Sequence, residues 1–198
     1  MADRYAQLVD LVRRVKPRCI VEVGVHRAAR ARLLCREALA LSRAVTYIGF
    51  DVFETMDPAF HDAAMNGKGI PAEREARAAL DELMRQNPGR FSYELRIGDT
   101  RQTLHGELVH ADLAWIDGDH RVEAILGDYL ALRGCPVVAL DDYIESGPAG
   151  EGPDLTQYGA NEVVRRIVES GEARSITLLP ARDLCRHGGY ARIAVVER

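Results

Sequence analysis

Hydrophobic positions along the chain fall into two alternating patterns. Short apolar runs have the length of buried strands, whereas longer segments repeat apolar residues at helical spacing. This alternation is typical of a parallel sheet covered by helices on both faces. The predicted strands are 19–24, 45–51, 91–97, 111–116, 135–140, 174–179 and 189–196. The predicted helices are 3–15, 29–41, 72–86, 121–132 and 160–170, with a short one within 100–107.

Two segments interrupt the alternation. Residues 52–71 and 143–158 are rich in glycine and proline, and we predict that they form lid-like loops. A chain of 198 residues fits one domain with a well-buried core. The prediction is therefore a single α/β domain over 1–198, with a doubly wound, mostly parallel, seven-stranded sheet.

Composition narrows the choice of partners. The net charge of -4 argues against a nucleic-acid partner, and no run approaches the ~20 apolar residues of a membrane span. The four cysteines are scattered without a C-x-x-C pair, which argues against a zinc knuckle or a disulfide framework. We expect a cytoplasmic protein that acts on a small molecule. The sequence is also compatible with a homodimer.

Acidic residues stand at the ends of the first five predicted strands. They are Glu22, Asp51, Asp99, Asp117 and the pair Asp141 and Asp142. In open parallel sheets, ligands bind outside the carboxyl ends of the strands, where the strand order reverses. Any one of these acids is equally well explained as a helix N-cap, but their repetition over five strands favours a ligand crevice.

The segment after the first strand is unsuited to phosphate. Gly24 is the only glycine in 22–30, so the G-x-G-x-x-G pattern is missing, and Glu22 would repel a pyrophosphate. S-adenosylmethionine carries no phosphate, and carboxylates can accept hydrogen bonds from its ammonium, ribose hydroxyls and exocyclic amine. Neither Lys16 nor Lys68 has a tyrosine four residues earlier or a following Ser or Thr. These absences exclude a short-chain dehydrogenase and a Walker A loop.

Four motifs together resemble the class I methyltransferases. They are Val-Glu-Val-Gly at 21–24, Gly-Phe-Asp-Val-Phe-Glu at 49–54, Ile-Asp-Gly-Asp-His at 116–120 and Leu-Asp-Asp-Tyr at 140–143. More narrowly, they are similar to the metal-dependent group around the macrocin and aminocoumarin sugar O-methyltransferases. The resemblance covers roughly 18–170 and implies a Rossmann-like methyltransferase fold. The family usually has a second glycine where this chain has Ala28 and Ala29, and often Ser-Tyr-Glu at 121–123, where this chain has Arg-Val-Glu.

The resemblance also implies how the cofactor, S-adenosylmethionine, would be held. Glu22 and Gly24 would lie beside its methionine part. Asp51 would bind the ribose hydroxyls, Asp99 would lie near the adenine amine, and Asp117 would border the cofactor.

By the same resemblance, Asp117, Asp141 and Asp142 would be metal ligands. If the fourth and fifth strands are neighbours, their ends lie about 4.8 Å apart. A carboxylate set of this kind suits Mg²⁺, Ca²⁺ or Mn²⁺ better than zinc, and we expect Mg²⁺. The metal would activate a hydroxyl of a small metabolite, such as a sugar or another natural product. Asp119 would take the hydroxyl proton, and His120 is the alternative base. A structural role stays open for each residue: Asp119 could be a turn residue, and His120 a hydrogen-bonded structural histidine.

Two other functions stay open. The acids could instead hold an amine, which would make the chain a metal-independent N-methyltransferase. Alternatively, the missing second glycine could mark a non-catalytic domain that only binds the cofactor or a partner.

Overall fold

The structure is a computed structural model that describes residues 4–55, 70, 72–106, 108–146, 158–185 and 189–198. The strands are β1 Cys19–Val23, β2 Val45–Asp51, β3 Phe91–Ile97, β4 Leu113–Ile116, β5 Val137–Glu145, β6 Ser175–Leu178, β7 Asp183–Leu184 and β8 Tyr190–Glu197. The helices are α1 Ala6–Val15, α2 Ala29–Leu41, α3 Glu73–Gln86, α4 Thr100–Thr103, α5 Val122–Leu132 and α6 Gly159–Ser170, and a 3-10 turn spans Phe53–Thr55.

One mixed sheet runs through the described residues, in the order β3-β2-β1-β4-β5-β8-β6, with β7 paired to β8. Strands β1 to β5 are parallel, whereas β8 is antiparallel to both β5 and β6. The strand order reverses between β1 and β4, which places a ligand crevice at their carboxyl ends. The predicted fold is thus confirmed. The two-residue β7 was not predicted, because two residues are too few to show a periodic pattern.

Helices cover both faces of the sheet and form two cores. On one face, Leu8 of α1, Leu34 of α2 and Leu80 of α3 pack against the strands. On the other face, Tyr129 of α5 and Ile167 of α6 do the same. Because both faces are covered, the central parallel strands are apolar in continuous runs instead of alternating. None of the described helices is long and apolar enough to cross a membrane.

Strand β5 continues past its predicted end at 140. Its pairing with β8 shifts register between Leu140 and Tyr143, and then resumes as far as Glu145. Asp141 and Asp142 therefore lie in a bulge within the strand, and Asp142 has a φ of 50°. The reason is the antiparallel partner, which extends beyond the end of β4 and holds residues that were predicted to be loop.

The two predicted lids fall mostly outside the described residues. Of 52–71, the structure describes only Val52, the 3-10 turn Phe53–Thr55 and Ile70. Of 143–158, the first three residues belong to β5, so this loop begins later than predicted. Positions 56–69, 71 and 147–157 lie outside the described part of the chain.

Candidate active site at the carboxyl edge of the sheet

The turn after β1 requires glycine at position 24. Gly24 has a φ of +90°, and a Cβ there would lie 2.1 Å from the carbonyl oxygen of Asp117. Its N–H donates to the carbonyl oxygen of Phe50 at 2.9 Å. The ends of β1 and β4 can approach this closely only because Gly24 has no side chain. This close approach shapes the floor of the crevice where the strand order reverses.

Glu22 lies on β1, two residues before this glycine, and is fully buried. One of its carboxylate oxygens accepts a 2.5 Å hydrogen bond from the hydroxyl of Tyr47. The other, Oε1, is buried and has no hydrogen-bond partner among the described residues. Burial raises the pKa of Glu22 to about 8, although the bond from Tyr47 and the charge of Arg30 act to lower it. An unpartnered buried carboxyl oxygen of this kind fits a cationic ligand that brings a hydrogen-bond donor, because such a ligand favours the ionised, accepting form of the carboxyl.

Asp51 joins the loops that follow β1 and β2. Its Oδ2 accepts from the backbone N–H of His26 at 2.7 Å, and its Oδ1 accepts from the N–H of Phe53 at 2.8 Å. Each carboxylate oxygen has a second lone pair, so the side chain can still accept from a ligand hydroxyl. The position at the crevice and this spare capacity fit the predicted contact with ribose.

Asp99 is engaged within the protein. It is the N-cap of α4, where its Oδ1 accepts from the backbone N–H of Arg101 at 2.9 Å. Both of its oxygens also pair with the guanidinium of Arg101, and these bonds lower the pKa of Asp99. The interpretation of the strand-end acids as helix N-caps, which the sequence left open, therefore holds for Asp99. An adenine amine would have to share this carboxylate with Arg101.

The carboxylates at the ends of β4 and β5 come together, because these two strands are neighbours, a condition that the sequence left open. The carboxylates of Asp117 and Asp142 both lie within 3.8 Å of the ring nitrogen Nε2 of His120. Burial, followed by the charges of Asp141 and Asp142, raises the pKa of Asp117 well above its ordinary value. Burial and the charge of Asp142 also raise the pKa of Asp141, which is 1% exposed. We call Asp117, Asp141 and Asp142 the aspartate cluster.

The guanidinium of Arg4 lies against this cluster. Its Nη1 is 2.7 Å from Oδ1 of Asp142 and 3.3 Å from Oδ1 of Asp141. Its Nε is 3.2 Å from Oδ2 of Asp183 on β7. Although burial lowers the pKa of Arg4, the charge of Asp141 and the bond to Asp142 outweigh it and raise that pKa. Arg4 is therefore a permanent positive charge at this edge.

The aspartate cluster does not fit a divalent cation in this arrangement. No group of three His, Cys, Asp or Glu side chains within the described ranges could hold a metal ion. The predicted ligands Asp117, Asp141 and Asp142 do converge, but two of them face a guanidinium. The sequence prediction considered only the acids, and it did not foresee the cation that accompanies them.

The two predicted bases differ in their surroundings. Asp119 accepts from the backbone N–H of Arg121 at 3.0 Å, and its two oxygens pair with the guanidinium of Arg121. His120 is 43% exposed, and its Nε2 lies 3.8 Å from Oδ1 of Asp117 and 3.7 Å from Oδ2 of Asp142. Of the two predicted bases, His120 is the one whose side chain faces the aspartate cluster, whereas Asp119 pairs with Arg121.

Sequence reasoning missed Arg4, Tyr5 and Arg30. The Tyr5 hydroxyl donates to Oδ2 of Asp141 at 3.0 Å and accepts from Nη2 of Arg4 at 2.8 Å. The guanidinium of Arg30 lies over the Tyr5 ring, 3.5 Å from its centroid. No motif marks these residues, and Arg4 is 138 positions from Asp142. The packing of α1 against the sheet brings Arg4 and Tyr5 to the site, and Arg30 reaches it from the first turn of α2.

Comparison with known proteins supports the fold. No protein-family model matches this chain, and no curated protein matches its sequence. Similar solved structures include the O-methyltransferase TomG of Streptomyces achromogenes, involved in tomaymycin synthesis and bound to S-adenosylmethionine, at 18% identity over 100% of this chain and 80% of that one (TM-score 0.56). An O-methyltransferase of Bacillus cereus bound to S-adenosylhomocysteine is 17% identical over 100% and 82% (TM-score 0.59). The methyltransferase PaMTH1 of Podospora anserina, bound to S-adenosylhomocysteine, is 14% identical over 100% and 79% (TM-score 0.52).

At these identities the likeness establishes the Rossmann-like methyltransferase fold of the chain. Two of these structures are O-methyltransferases, and all three hold the methyl donor or its demethylated product.

Proposed function

We propose that the chain is an S-adenosylmethionine-dependent methyltransferase. The observation that carries this proposal is the unpartnered buried oxygen of Glu22 beside the Gly24 turn. A buried acceptor without a donor is unfavourable unless a ligand supplies one, and the cofactor's ammonium is such a donor. The fold supports the proposal, since similar structures bind this cofactor.

Each cofactor contact is assigned to residues of the crevice edge. Glu22 would accept from the ammonium, and Asp51 would accept from the ribose hydroxyls with its spare lone pairs. Gly24 would let the cofactor approach the backbone, and Asp117 would border it. Asp99 stays our prediction for the adenine amine, with Arg101 sharing its carboxylate. None of these contacts needs a phosphate-binding loop.

We further propose that the acceptor is a hydroxyl of a small metabolite. When bound, S-adenosylmethionine supplies a methyl group that is already activated on a sulfonium, so the protein must mainly orient and deprotonate the acceptor. The acceptor oxygen would lose its proton and form a bond to the methyl carbon while the bond from that carbon to sulfur breaks, which would leave the neutral thioether S-adenosylhomocysteine. Nε2 of His120 is placed to take that proton, since it faces the aspartate cluster. Asp119 is instead held by Arg121, which favours a role in fixing the loop before α5.

A second candidate acceptor is an amine. Three carboxylates, those of Asp141, Asp142 and Asp183, pair with the guanidinium of Arg4. The fourth, Asp117, lies beside Asp141 and Asp142 and near the charge of Arg30, so acids outnumber guanidinium groups here. This local excess of acids favours a cationic ligand. Amine and hydroxyl acceptors should therefore be tested side by side.

The cofactor proposal can be tested by calorimetry with S-adenosylhomocysteine. We expect binding by the natural chain, and Asp51→Asn should weaken it by about tenfold or more, because a charged acceptor of hydroxyl hydrogen bonds is lost. Asp112→Asn is the matched control. Asp112 also accepts from two backbone N–H groups, those of Arg18 and Cys19, but at the opposite end of the strands.

The same samples test transfer. Methyl transfer from S-adenosylmethionine should be measured with panels of sugar, catechol and amine acceptors. No binding of S-adenosylhomocysteine at millimolar concentration would refute both the methyltransferase and the cofactor-binding domain. Binding without transfer to any acceptor would favour the non-catalytic alternative.

A further inference from the structure

Arg4 is buried at a place where an isolated charge would be strongly disfavoured. Arg4 is only 6% exposed. Arginine is almost never buried unless its charge is paired. The guanidinium donates to Asp142 and Asp141 on β5, and its Nε lies 3.2 Å from Oδ2 of Asp183 on β7 as an ion pair without a hydrogen bond. Such a multiple pairing suits the planar, always charged guanidinium better than it suits an ammonium.

Tyr5 holds this arginine in place. Its hydroxyl accepts from Arg4 and donates to Asp141, so the two residues form one hydrogen-bonded unit with the carboxylate. The Tyr5 ring lies under Arg30 and meets Trp115 edge-on, with ring centroids 6.3 Å apart. Gln7 anchors the same segment, because its side-chain amide bonds both the N–H and the carbonyl oxygen of Ala181. Several separate contacts therefore fix the position of residues 4–7 against the edge of the sheet.

A guanidinium and a divalent cation cannot share these carboxylates. Mg²⁺ needs ligand oxygens at about 2.0–2.1 Å and Ca²⁺ at about 2.3–2.6 Å. Nη1 of Arg4 already lies 2.7 Å from the Asp142 oxygen and 3.3 Å from an Asp141 oxygen. A metal ion bound to both side chains would therefore meet Arg4 within its coordination sphere, where the two positive charges would repel each other.

We propose that Arg4 is the built-in cation of the acceptor site and takes the place of a divalent metal. It would neutralise part of the aspartate cluster, and it would fix Asp141 and Asp142 beside the acceptor without an ion from solution. Arg4 is thus a positioning residue that makes methyl transfer independent of metal. The part of this inference that concerns transfer rests on the proposed function, whereas the exclusion of metal by Arg4 does not.

The exclusion is tested by titrating the purified chain with Mn²⁺ alone and measuring free Mn²⁺ by electron paramagnetic resonance. The natural chain should bind Mn²⁺ only weakly. Arg4→Gln keeps a polar side chain but removes the charge, so it should bind Mn²⁺ more tightly by about tenfold or more. Arg13→Gln is the matched control, since Arg13 lies on α1, which follows Arg4 in the chain, and forms ion pairs with Asp10 and Glu37 away from the aspartate cluster. It should bind like the natural chain.

The second measurement is methyl transfer with and without EDTA. The natural chain should be unaffected by EDTA, whereas transfer by Arg4→Gln should fall and be partly restored by Mg²⁺ or Mn²⁺. A merely structural arginine would not create this dependence on metal. Tight Mn²⁺ binding by the natural chain, or loss of its transfer in EDTA, would overturn the proposal.

Two further measurements distinguish a failure of the proposed function from a failure of metal exclusion by Arg4. If the chain fails to bind S-adenosylhomocysteine, the proposed function is wrong, but the Mn²⁺ titration still decides whether Arg4 excludes metal. If Arg4→Gln does not fold, Tyr5→Phe replaces it, because the Tyr5 hydroxyl holds Arg4 and also occupies an oxygen of Asp141. Its affinity for Mn²⁺ should rise, though by less than for Arg4→Gln. A folded Tyr5→Phe chain with unchanged affinity would contradict the proposal.

Discussion

At the scale of single residues, Ala28 shows how this chain forms the loop after β1 with one glycine. Ala28 is fully buried and has a φ of 57°, in the left-handed region that favours glycine. The family that the chain resembles usually has a second glycine in this loop. The backbone thus keeps a conformation suited to glycine, and the alanine bears a strain of about 1–2 kcal/mol.

Ala28→Gly should therefore be almost neutral for stability. The relief of strain offsets the loss of a buried methyl, about 0.8 kcal/mol, and the added freedom of the unfolded chain, about 0.4–1 kcal/mol. We expect a free energy of unfolding within about 1 kcal/mol of the natural value. Ala38→Gly is the control, because Ala38 is equally buried but lies inside α2. It should lose about 2 kcal/mol in urea denaturation, and equal losses for both variants would argue against strain at Ala28.

At the scale of elements, the extension of β5 depends on a side chain of α6. Strand β4 ends at Ile116, so beyond that point β5 has no strand partner on this side among the described residues. Asn161 takes over: its Oδ1 accepts from the N–H of Ile144 at 2.8 Å, and its Nδ2 donates to the carbonyl oxygen of Ile144 at 2.9 Å. The amide group thus completes the hydrogen bonding of the strand just after the aspartate cluster.

Asn161→Ala should lower the free energy of unfolding by about 2–4 kcal/mol, since it leaves a buried N–H and a buried carbonyl without partners. Asn87→Ala is the comparison, because Asn87 makes one side-chain bond, to the carbonyl oxygen of Leu83, at a half-buried helix end. That variant should lose about 1 kcal/mol or less. Chemical denaturation of both variants measures the difference, and similar losses would contradict the proposed role of Asn161.

The elements also show what the sequence could predict. Apolar periodicity located seven strands, because buried strands and helical faces leave a local pattern. It did not show that β4 and β5 are neighbours, which remained a condition of the predicted site. The end of β5 was wrong, because it is set by pairing with β8 and by Asn161, both distant in sequence. Convergence of the aspartate cluster followed from topology. Its partner Arg4 did not, since a contact over 138 positions leaves no local signal.

At the scale of the whole molecule, buried acids make stability depend on pH. Burial raises the pKa of Glu22 to about 8, from an ordinary value of 4.5. The native chain therefore keeps this proton between about pH 4.5 and 8, whereas the unfolded chain releases it. The stabilising contribution is fully present below pH 4.5 and is lost as the pH rises through 8. Over this window, Glu22 alone lowers the free energy of unfolding by about 1.4 kcal/mol per pH unit.

Glu22→Gln removes this titration and keeps the size of the side chain. We expect its stability to exceed that of the natural chain at pH 8, and the advantage to shrink as the pH falls towards 5. Urea denaturation at several pH values measures both curves, without cofactor because an ammonium beside Glu22 would favour the charged form. Glu169→Gln, an exposed acid of α6, should give a curve parallel to that of the natural chain. A constant difference between Glu22→Gln and the natural chain would mean that Glu22 is already ionised in the native state. Its unpartnered oxygen would then be solvated, and it would no longer point to a ligand that brings its own donor.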